Sequence, residues 1–217
     1  MITITLNETV TASNDLDAQA LRERMRTAGT LLINVMSSPG AGKTTLLGRI
    51  IRDLGDVKIG VMEADIDSEV DAERIRALGA SAIQVHTSGM CHMDAGMTAA
   101  AWEAMEDKEL RLIFLENVGN LICPAEYDTG AGKNLMLLSV PEGDDKPLKY
   151  PLMFQKSDAL VITKTDALGY FDFDMGKCVE RVKRLNPDIQ IFPVSAKTGE
   201  GMEALEAWLR ELIHTQI

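Results

Sequence analysis

Hydrophobic residues are concentrated in seven short runs with few polar interruptions. Runs of this length without strict alternation are typical of strands that are buried on both faces of a parallel sheet. Stretches with helical spacing separate most of them, which is the order expected of an α/β fold. The predicted strands are Leu31–Met36, Val57–Met62, Ala82–Val85, Leu110–Leu115, Leu135–Val140, Ala159–Thr163 and Ile189–Val194.

Helices are predicted between these strands and near the N-terminus. A first helix over 15–27 would use Asn14 as its cap and turn Leu16, Leu21 and Met25 toward one face. The segment Pro141–Pro147 is predicted to be an exposed turn. We expect one α/β domain over 30–217, with a mostly parallel sheet covered by helices on both faces, and a short helical extension over 1–29. The other predicted helices are Lys43–Leu54, Ser68–Leu78, Ala95–Met105, Phe173–Leu185 and Glu200–Ile213.

The composition narrows the class of partners. The chain has 217 residues, of which 25% are charged, and its net charge is −11. Such a chain does not offer the basic face that binds a nucleic-acid backbone or an anionic membrane, so we expect neither partner. Three cysteines do not make a disulfide framework, and the N-terminus lacks the pattern of a secretory signal. The sequence therefore predicts a cytoplasmic protein.

The first predicted strand is followed by S-S-P-G-A-G-K-T. This run matches the phosphate-loop pattern G-x-x-x-x-G-K-S/T, except that Ser37 takes the place of the first glycine. The glycines let successive backbone N–H groups point at phosphate oxygens, the lysine reaches the β and γ phosphates, and the threonine hydroxyl is placed to bind Mg²⁺. The sequence thus predicts a P-loop NTPase whose loop residues are Gly40, Ala41, Gly42, Lys43, Thr44 and Thr45.

Two later segments indicate which nucleotide binds. T-K-T-D ends the sixth strand and S-A-K-T-G follows the seventh, and they are similar to the guanine-recognition pair N-K-x-D and S-A-K of GTPases. Asp166 would accept hydrogen bonds from guanine N1 and N2, groups whose loss would leave buried polar atoms unpaired. Thr163 departs from the usual asparagine, because a hydroxyl replaces only one of two amide hydrogen bonds. The predicted GTP/GDP base contacts are Thr163, Lys164, Asp166, Ser195, Ala196 and Lys197.

Acidic residues at strand ends are candidates for the Mg²⁺ site. Glu116 ends the fourth strand in the Walker-B position, and Gly119 stands where a backbone N–H would sense the γ-phosphate. Asp65 is the expected second acid, with capping of the next helix as the alternative. These acids, with Lys43 and Thr44, are the predicted catalytic set. No glutamine stands where it would orient the attacking water, so hydrolysis is expected to be slow unless a second copy or a partner completes the site.

Two cysteines and a histidine follow neighbouring strands. Cys91 and His92 come after the third strand, and Cys123 follows the fourth, at the edge where ligands bind in an open α/β sheet. Two thiolates and an imidazole suit Zn²⁺ or Ni²⁺ alike. The alternative is that these cysteines are buried hydrophobic residues. Cys178 lies in a predicted helix and is expected to pack in the core.

The chain resembles the hydrogenase nickel-incorporation GTPases, the HypB family, over about residues 30–213. The resemblance rests on S-S-P-G-A-G-K-T-T-L-L, D-A-E-R-I, C-H-M-D-A, E-N-V-G-N-L followed by C-P, the segment Leu168–Asp174, and N-P at 186–187. It implies a GTPase that helps deliver nickel to nickel–iron hydrogenase, with the hydrogenase large subunit and other maturation factors as partners. It also implies a nickel or zinc site at Cys91, His92 and Cys123. The N-terminus lacks the C-x-x-C-G-C and histidine-rich stretches with which some members hold extra nickel.

The resemblance further implies a homodimer favoured by GTP. Cys91, His92 and Cys123 are one ligand short of a closed tetrahedral site, so we expect metal at or beside a two-fold interface. An apolar cluster before a predicted helix is a candidate part of that interface. The alternative is that the cluster staples the start of the helix. The cluster consists of Leu168, Tyr170, Phe171 and Phe173.

Three other functions share some of these motifs. A small-molecule kinase would have a P-loop but should prefer ATP, and T-K-T-D with S-A-K argues against it. A urease accessory GTPase has a related layout, but its metal motif is C-P-H. A metal-binding module with a relic nucleotide site conflicts with the complete set of phosphate-loop and magnesium positions.

Overall fold

The computed structural model describes the backbone of residues 6–65, 70–87 and 89–215, and the side chains of these residues except 6–11, 65, 70–72 and 74. Seven strands lie within this part of the chain and alternate with helices, as the hydrophobic pattern predicted. The strands are β1 (Leu31–Ser37), β2 (Ile59–Asp65), β3 (Ser81–His86), β4 (Leu112–Glu116), β5 (Lys133–Ser139), β6 (Ala159–Thr163) and β7 (Gln190–Pro193).

Besides α1, the described helices include the five others that the sequence predicted and three short ones that it did not. The start of the predicted helix Ser68–Leu78 lies outside the described residues. The helices are α1 (Leu6–Thr27), α2 (Lys43–Asp53), α3 (Val70–Ala77), α4 (Ala95–Ala104), α5 (Cys123–Glu126), α6 (Lys146–Lys149), α7 (Pro151–Gln155), α8 (Met175–Leu185) and α9 (Met202–Thr215), with 3-10 turns at Val140–Glu142 and Thr165–Tyr170.

All seven strands are parallel and form one sheet in the order β3-β2-β4-β1-β5-β6-β7. Strands that follow one another along the chain are joined through crossover connections, as a parallel sheet requires. Because parallel strands end at the same edge, the loops after β1, β4 and β6 meet there. Ligands bind at this edge in open α/β sheets.

Helices cover both faces of the sheet, which confirms the predicted fold class. Alternate residues of β1 show the arrangement: Ile33 and Val35 pack with α2 and α9, whereas Leu32 packs with α1 and α4. A further cluster joins the same second face to α7 and α8. Every strand residue of β1 is buried, which explains why the apolar run does not alternate.

Helix α1 is longer than predicted and begins at Leu6, so Asn14 lies in its interior and does not cap it. The Asn14 side chain instead donates to the Asp128 carbonyl (2.8 Å) and accepts from the Ala95 N–H (3.0 Å). Leu21 and Met25 are buried as expected, but Leu16 is 69% exposed. The cap preference of asparagine was therefore overridden by long-range contacts. No helix among the described residues is long and apolar enough to cross a membrane.

The segment Pro141–Pro147 is not the exposed turn that was predicted. It contains most of a 3-10 turn and the start of α6, and Pro147 is buried. Asp144 explains the difference, since it pairs with Arg181 of α8 and accepts from the Asp174 N–H at 2.8 Å. These contacts hold the segment against α8.

Candidate nucleotide and metal site

The sheet register aligns the ends of the central strands. Ser37 ends β1, Glu116 ends β4 opposite Val35, and Thr163 ends β6 beside Ser139 of β5. The phosphate loop, the switch-like segment that follows Glu116 and the T-K-T-D segment therefore leave the sheet at one edge. The sequence motifs for phosphate, magnesium and guanine come together in this way.

The phosphate loop joins β1 to α2 in the conformation expected of an anion cradle. Gly42 precedes α2 with a φ of 99°, a left-handed geometry that a side chain would strain. The first N–H groups of α2 then point into the loop with the positive end of the helix dipole. The Lys43 ammonium donates to the Ser37 hydroxyl at 3.1 Å. Ser37, which replaces the first glycine of the pattern, thus holds the lysine across the loop.

Thr44 and Glu116 form the pair expected of a magnesium site. The Thr44 hydroxyl lies 3.3 Å from the Glu116 carboxylate, so a hydroxyl and a carboxylate oxygen face each other beside the phosphate loop. Oxygen ligands of this kind are those Mg²⁺ prefers. Asp65 is the last residue of β2, but its side chain lies outside the described residues. The chemistry of the donors present therefore fits Mg²⁺.

Gly119 lies directly against the phosphate loop. A Cβ added at this position would come within 3.1 Å of both the backbone nitrogen and the ring of Pro39. Such a contact is shorter than packing normally allows. The segment after Glu116 can therefore approach the phosphate loop this closely only because residue 119 is a glycine. The structure thus brings the predicted γ-phosphate sensor to the loop that is predicted to bind the phosphates.

The T-K-T-D segment is also tied to the phosphate loop. Thr163 is buried and its hydroxyl donates to the Ala41 carbonyl at 2.7 Å, while the Lys164 ammonium donates to the Gly40 carbonyl at 2.7 Å. Lys164 has a φ of 61°, the only left-handed residue other than glycine among those described. Strain of this kind is commonly stored at functional sites. In the guanine-recognition pattern this position is usually asparagine, whose amide makes two hydrogen bonds. The Thr163 hydroxyl makes one of them, the contact with the phosphate loop.

Asp166 meets the S-A-K segment at the same edge. Its carboxylate accepts from the Ser195 hydroxyl at 2.7 Å, and the Thr165 N–H donates to the Val194 carbonyl at 3.2 Å. Ala196 is partly buried and Lys197 is exposed. The two predicted guanine segments therefore contact each other directly, and Ser195 orients the carboxylate assigned to the base.

Sequence reasoning missed a second support of the phosphate loop. Glu142 accepts a hydrogen bond from the Ser38 hydroxyl through one oxygen, and through the other from the Ser139 N–H and hydroxyl at 2.8 and 2.7 Å. The carboxylate joins the loop to the end of β5. No local pattern indicates this pair, because Ser38 and Glu142 are 104 residues apart.

The predicted metal ligands lie next to one another beyond β3 and β4. Cys91 is exposed, Cys123 is partly buried, and the Cys91 sulfur lies 3.8 Å from Nδ1 of His92. A hydrogen bond with Cys123, then burial, raises the pKa of Cys91. Burial lowers the pKa of His92 and outweighs the nearby charges of Asp94 and Glu126. The imidazole is therefore favoured in the neutral form that binds metal.

No complete metal site is formed by three or more His, Cys, Asp or Glu side chains within the described part of the chain. The third cysteine, Cys178, is fully buried against α8 and β6 neighbours, and burial raises its pKa to about 12. The prediction that Cys178 packs in the core is confirmed. The chain thus separates an accessible thiol pair from one inert thiol.

Three further residues around the thiols had no predicted role. The Asn120 amide donates to the Cys91 carbonyl at 2.7 Å, and its oxygen accepts from the N–H groups of Ile122 and Cys123 at 2.8 and 3.1 Å. Asn117 is buried and accepts from the Met93 N–H at 3.1 Å. The Tyr127 ring stacks on His92 with centroids 3.8 Å apart and an interplanar angle of 13°. Both asparagines belong to the E-N-V-G-N run, but their partners are not visible in the sequence.

The apolar cluster at 168–173 is divided between surface and core. Tyr170 and Phe171 are 86% and 47% exposed, Leu168 packs partly against the core, and Phe173 is buried. Phe173 is therefore not a surface residue, and it precedes the Asp174 cap of α8 as a staple would. The exposed part of the cluster is Tyr170 and Phe171.

Comparison with known proteins connects this site to a family. Residues 31–193 match the family described as "CobW/HypB/UreG, nucleotide-binding domain". The chain is 45% identical over 207 residues to the hydrogenase maturation factor HypB of Rhizobium leguminosarum bv. viciae, which covers 95% of this chain and 69% of the relative. It is 40% identical over 212 residues to the hydrogenase/urease maturation factor HypB of Helicobacter pylori (strain J99 / ATCC 700824), covering 96% and 87% respectively.

Solved structures give the same result. The crystal structure of HypB from Helicobacter pylori in complex with nickel superposes with a TM-score of 0.89 at 40% identity, over 94% of this chain and 96% of that one. The crystal structure of HypB from Archaeoglobus fulgidus superposes with a TM-score of 0.87 at 37% identity, over 93% and 99%. The chain therefore belongs to the CobW/HypB/UreG family and, within it, to the HypB hydrogenase maturation factors.

Proposed function

We propose that this chain is a GTP-hydrolysing nickel chaperone for the maturation of nickel–iron hydrogenase, in which nucleotide state controls both dimerisation and metal binding. One observation carries the proposal. The segment from Glu116 to Cys123 begins at the Thr44 hydroxyl, passes against Pro39 of the phosphate loop and ends at Cys123, whose backbone the Asn120 side chain links to that of Cys91. Eight residues thus join the predicted nucleotide site to the predicted metal site.

Guanine is the base that the geometry supports. Asp166 is oriented by Ser195, so its carboxylate is held at the edge of the site where it would accept from guanine N1 and N2. Adenine lacks these donors and would leave the acid without partners. The nucleotide-binding family found for residues 31–193 supports nucleotide hydrolysis at this loop.

The hydrolytic machinery is assigned to groups at the phosphate loop. Lys43 would bind the β and γ phosphates, and Thr44 with Glu116 would hold Mg²⁺, with Asp65 proposed as a further acid. When bound, Mg²⁺ neutralises charge on the phosphates. The Gly119 N–H, held against the loop, would report whether the γ-phosphate is present.

Nickel is proposed as the cargo of the thiol pair, as the nickel complex of the Helicobacter pylori relative suggests. Cys91, His92 and Cys123 supply soft and imidazole ligands suited to Ni²⁺ or Zn²⁺. A second copy would complete the ligand set and let metal leave when the copies separate. Exposed apolar residues flank the thiols, namely Met90 at 38% and Ile122 at 56% exposure, and burying them would favour a protein contact there.

The partners proposed are a second copy of this chain, other hydrogenase maturation factors and the hydrogenase large subunit. Tyr170 and Phe171 are a further candidate contact surface between copies, because large apolar side chains gain free energy when they leave water. A 3-10 turn connects them to the T-K-T-D segment, so the predicted base contacts and this surface share one stretch of chain.

Metal titration of the full chain loaded with GDP or with a non-hydrolysable GTP analogue tests the proposal. We expect GTP to bind more tightly than ATP, Ni²⁺ to bind wild type, and Cys123→Ala to lose that binding. Sedimentation should show more dimer with the GTP analogue than with GDP, and Tyr170→Ser should reduce it.

Separate outcomes overturn separate parts. A preference for ATP would exclude the GTPase, and unchanged Ni²⁺ affinity in Cys91→Ala and Cys123→Ala would exclude the metal site. The same monomer with both nucleotides would exclude nucleotide-controlled dimerisation even where the metal site stands. Leu148→Ser is the matched surface control for Tyr170→Ser, since Leu148 is also exposed, at 63%, but lies in α6.

A further inference from the structure

Two asparagines of the switch-like segment hold the loop that carries Cys91 and His92, but they do so in different ways. Asn117 is 1% exposed, its amide donates to the Asn34 side chain at 3.0 Å, and its oxygen accepts from the N–H groups of Met93 and Val118. Asn34 in turn donates to Asn134 of β5 at 3.0 Å. This chain of amides crosses three strands, so one end of the metal loop is fixed to the sheet.

Asn120 holds the other end of the metal loop at the surface. Its amide donates to the Cys91 carbonyl, and its oxygen accepts from the N–H groups of Ile122 and Cys123. One side chain therefore bonds the backbones of both cysteines. We call these three hydrogen bonds the Asn120 bridge. Unlike Asn117, Asn120 is partly exposed, and its side chain bonds the backbones of Cys91, Ile122 and Cys123, which lie outside the sheet.

The residue before Asn120 is Gly119, which packs so closely against the phosphate loop that a Cβ added to it would lie 3.1 Å from Pro39. A rotation of the Gly119 peptide toward a γ-phosphate would turn the backbone of Asn120 as well, because the two share a peptide unit. The buried anchor at Asn117 would stay in place, so motion would be confined to the exposed side. The bridge is therefore the part of the metal site that a change at the phosphate loop reaches first.

We propose that Asn120 is a positioning residue that sets the spacing of the Cys91 and Cys123 thiols according to nucleotide state. In the form described here, the bridge ties the backbones of Cys91 and Cys123 together and so keeps their thiols near one another. With the γ-phosphate bound, Gly119 moves, the bridge opens and the thiols separate. This inference deepens the proposed function and rests on it, because it names the contact through which GTP acts on the metal ligands.

Cross-linking of the metal-free protein with dibromobimane tests the bridge. This reagent joins two thiols only when they lie close together, and it becomes fluorescent on doing so. We expect Cys91 and Cys123 to cross-link roughly five-fold or more faster with GDP than with a non-hydrolysable GTP analogue, a ratio typical of coupled sites. The mass of the intact denatured product shows whether the link lies within one chain, peptide mass spectrometry identifies the two thiols, and buried Cys178 is not expected to react.

Two variants remove the bridge in different ways. Asn120→Ala loses all three hydrogen bonds, whereas Asn120→Asp keeps the acceptor for Ile122 and Cys123 and loses only the donor to Cys91. Both should give the same cross-linking rate with the two nucleotides. Asn186→Asp is the matched control, since it adds the same charge at an amide that donates to the Ser157 carbonyl at the opposite edge of the sheet, where β6 and β7 begin. This variant should keep the wild-type ratio of cross-linking rates with the two nucleotides.

The proposal is overturned by equal rates in wild type with both nucleotides, or by a wild-type ratio in Asn120→Asp. Ni²⁺ titration of the same samples keeps the proposed function separate. A wild type that cross-links in a nucleotide-dependent manner but binds no Ni²⁺ would remove nickel delivery while supporting the bridge. One that binds Ni²⁺ but cross-links equally would do the opposite.

Discussion

The phosphate loop and the metal loops lie at the same edge of the sheet but are held differently. Three side chains from two other segments fix the phosphate loop, through Thr163 to the Ala41 carbonyl, Lys164 to the Gly40 carbonyl and Glu142 to the Ser38 hydroxyl. The proposed metal ligands instead lie on an exposed loop and a four-residue helix, and the side chains in contact with them, Asn120 and Tyr127, are themselves partly exposed.

This difference fits two kinds of ligand. Phosphates are recognised by a fixed cradle, since preorganised donors need no rearrangement when charge arrives. A transported metal must leave, so its site gains from being incomplete within one chain and from lying on elements that open at low cost. The two regions therefore make different predictions for substitutions of the same type.

The largest effect is expected at the phosphate loop. Lys43→Ala removes the ammonium that the Ser37 hydroxyl holds toward the loop, and GTP hydrolysis should fall by about 100-fold or more. Steady-state phosphate release measures this, and circular dichroism should show an intact fold. Lys58→Ala is the control, because Lys58 is exposed and pairs with Glu109 before β2 and β4 begin. Normal hydrolysis in Lys43→Ala would contradict the assignment.

Substitution by alanine at the proposed metal ligands should leave GTP hydrolysis unchanged and weaken metal binding. Cys123→Ala deletes a proposed ligand, so Ni²⁺ affinity should fall by more than about ten-fold, the scale already seen when only supporting residues are lost. Competition with a chromogenic chelator measures it. Cys178→Ala should keep wild-type affinity, because that thiol is buried in the core. Equal loss in both variants would indicate unfolding rather than a lost ligand.

Base selectivity should depend on a single carboxylate. Asp166→Asn exchanges an acceptor for a donor, and the preference for GTP over XTP and ATP should fall by about 5–150-fold, which corresponds to about 1–3 kcal/mol for an unpaired buried group. Competition binding measures the ratio. Asp188→Asn, an exposed acid before β7, should leave selectivity unchanged. Wild-type selectivity in Asp166→Asn would remove this residue from the base site.

The sequence predicted the sheet and the phosphate loop well because both depend on local patterns. Continuous apolar runs identify buried parallel strands, and S-S-P-G-A-G-K-T is read without knowledge of distant partners. The errors lie where long-range contacts decide. Asn14 bonds residues 128 and 95, and Asp144 holds a predicted turn against α8, and neither contact leaves a local signal.

The metal region shows the same limit from another side. Residue chemistry made Cys91 and His92 candidate ligands and the family resemblance of C-H-M-D-A favoured them, but the sequence did not show that Tyr127 stacks on the imidazole. It also gave Asn120 no role, although the residue was part of a quoted motif. Supporting residues depend on which loops meet, and that is fixed by the order of strands in the sheet.

Two threonines allow the two regions to be compared directly. Thr163 and Thr87 are both buried, and their hydroxyls donate to the carbonyls of Ala41 (2.7 Å) and Met90 (2.8 Å). Thr163→Val should weaken GTP binding and leave Ni²⁺ binding unchanged, whereas Thr87→Val should do the reverse. Each substitution should weaken the binding that it affects by about 1–3 kcal/mol, because valine fills the space of threonine but leaves a carbonyl without its hydrogen-bond donor. Isothermal titration with both ligands measures the four values, and loss of GTP affinity in Thr87→Val would show that the regions are not separable.

The smallest effect concerns the two kinds of thiol and appears only at high pH. Burial raises the pKa of Cys178 to about 12 from an ordinary value of 9.0, so the folded chain keeps this proton after the unfolded chain has released it. The raised pKa of Cys178 contributes its full stabilisation of the folded chain below pH 9. Between pH 9 and pH 12 this contribution to the free energy of unfolding falls by about 1.4 kcal/mol per pH unit. The free energy of unfolding, measured by denaturant titration at pH 8, 9 and 10, should therefore fall more steeply in wild type than in Cys178→Ala, with most of the difference appearing between pH 9 and 10. Cys91→Ala removes an exposed thiol and should follow wild type more closely. Parallel pH profiles for wild type and Cys178→Ala would mean that the third thiol is not sealed in the core, and the contrast between an accessible pair and an inert one would fail.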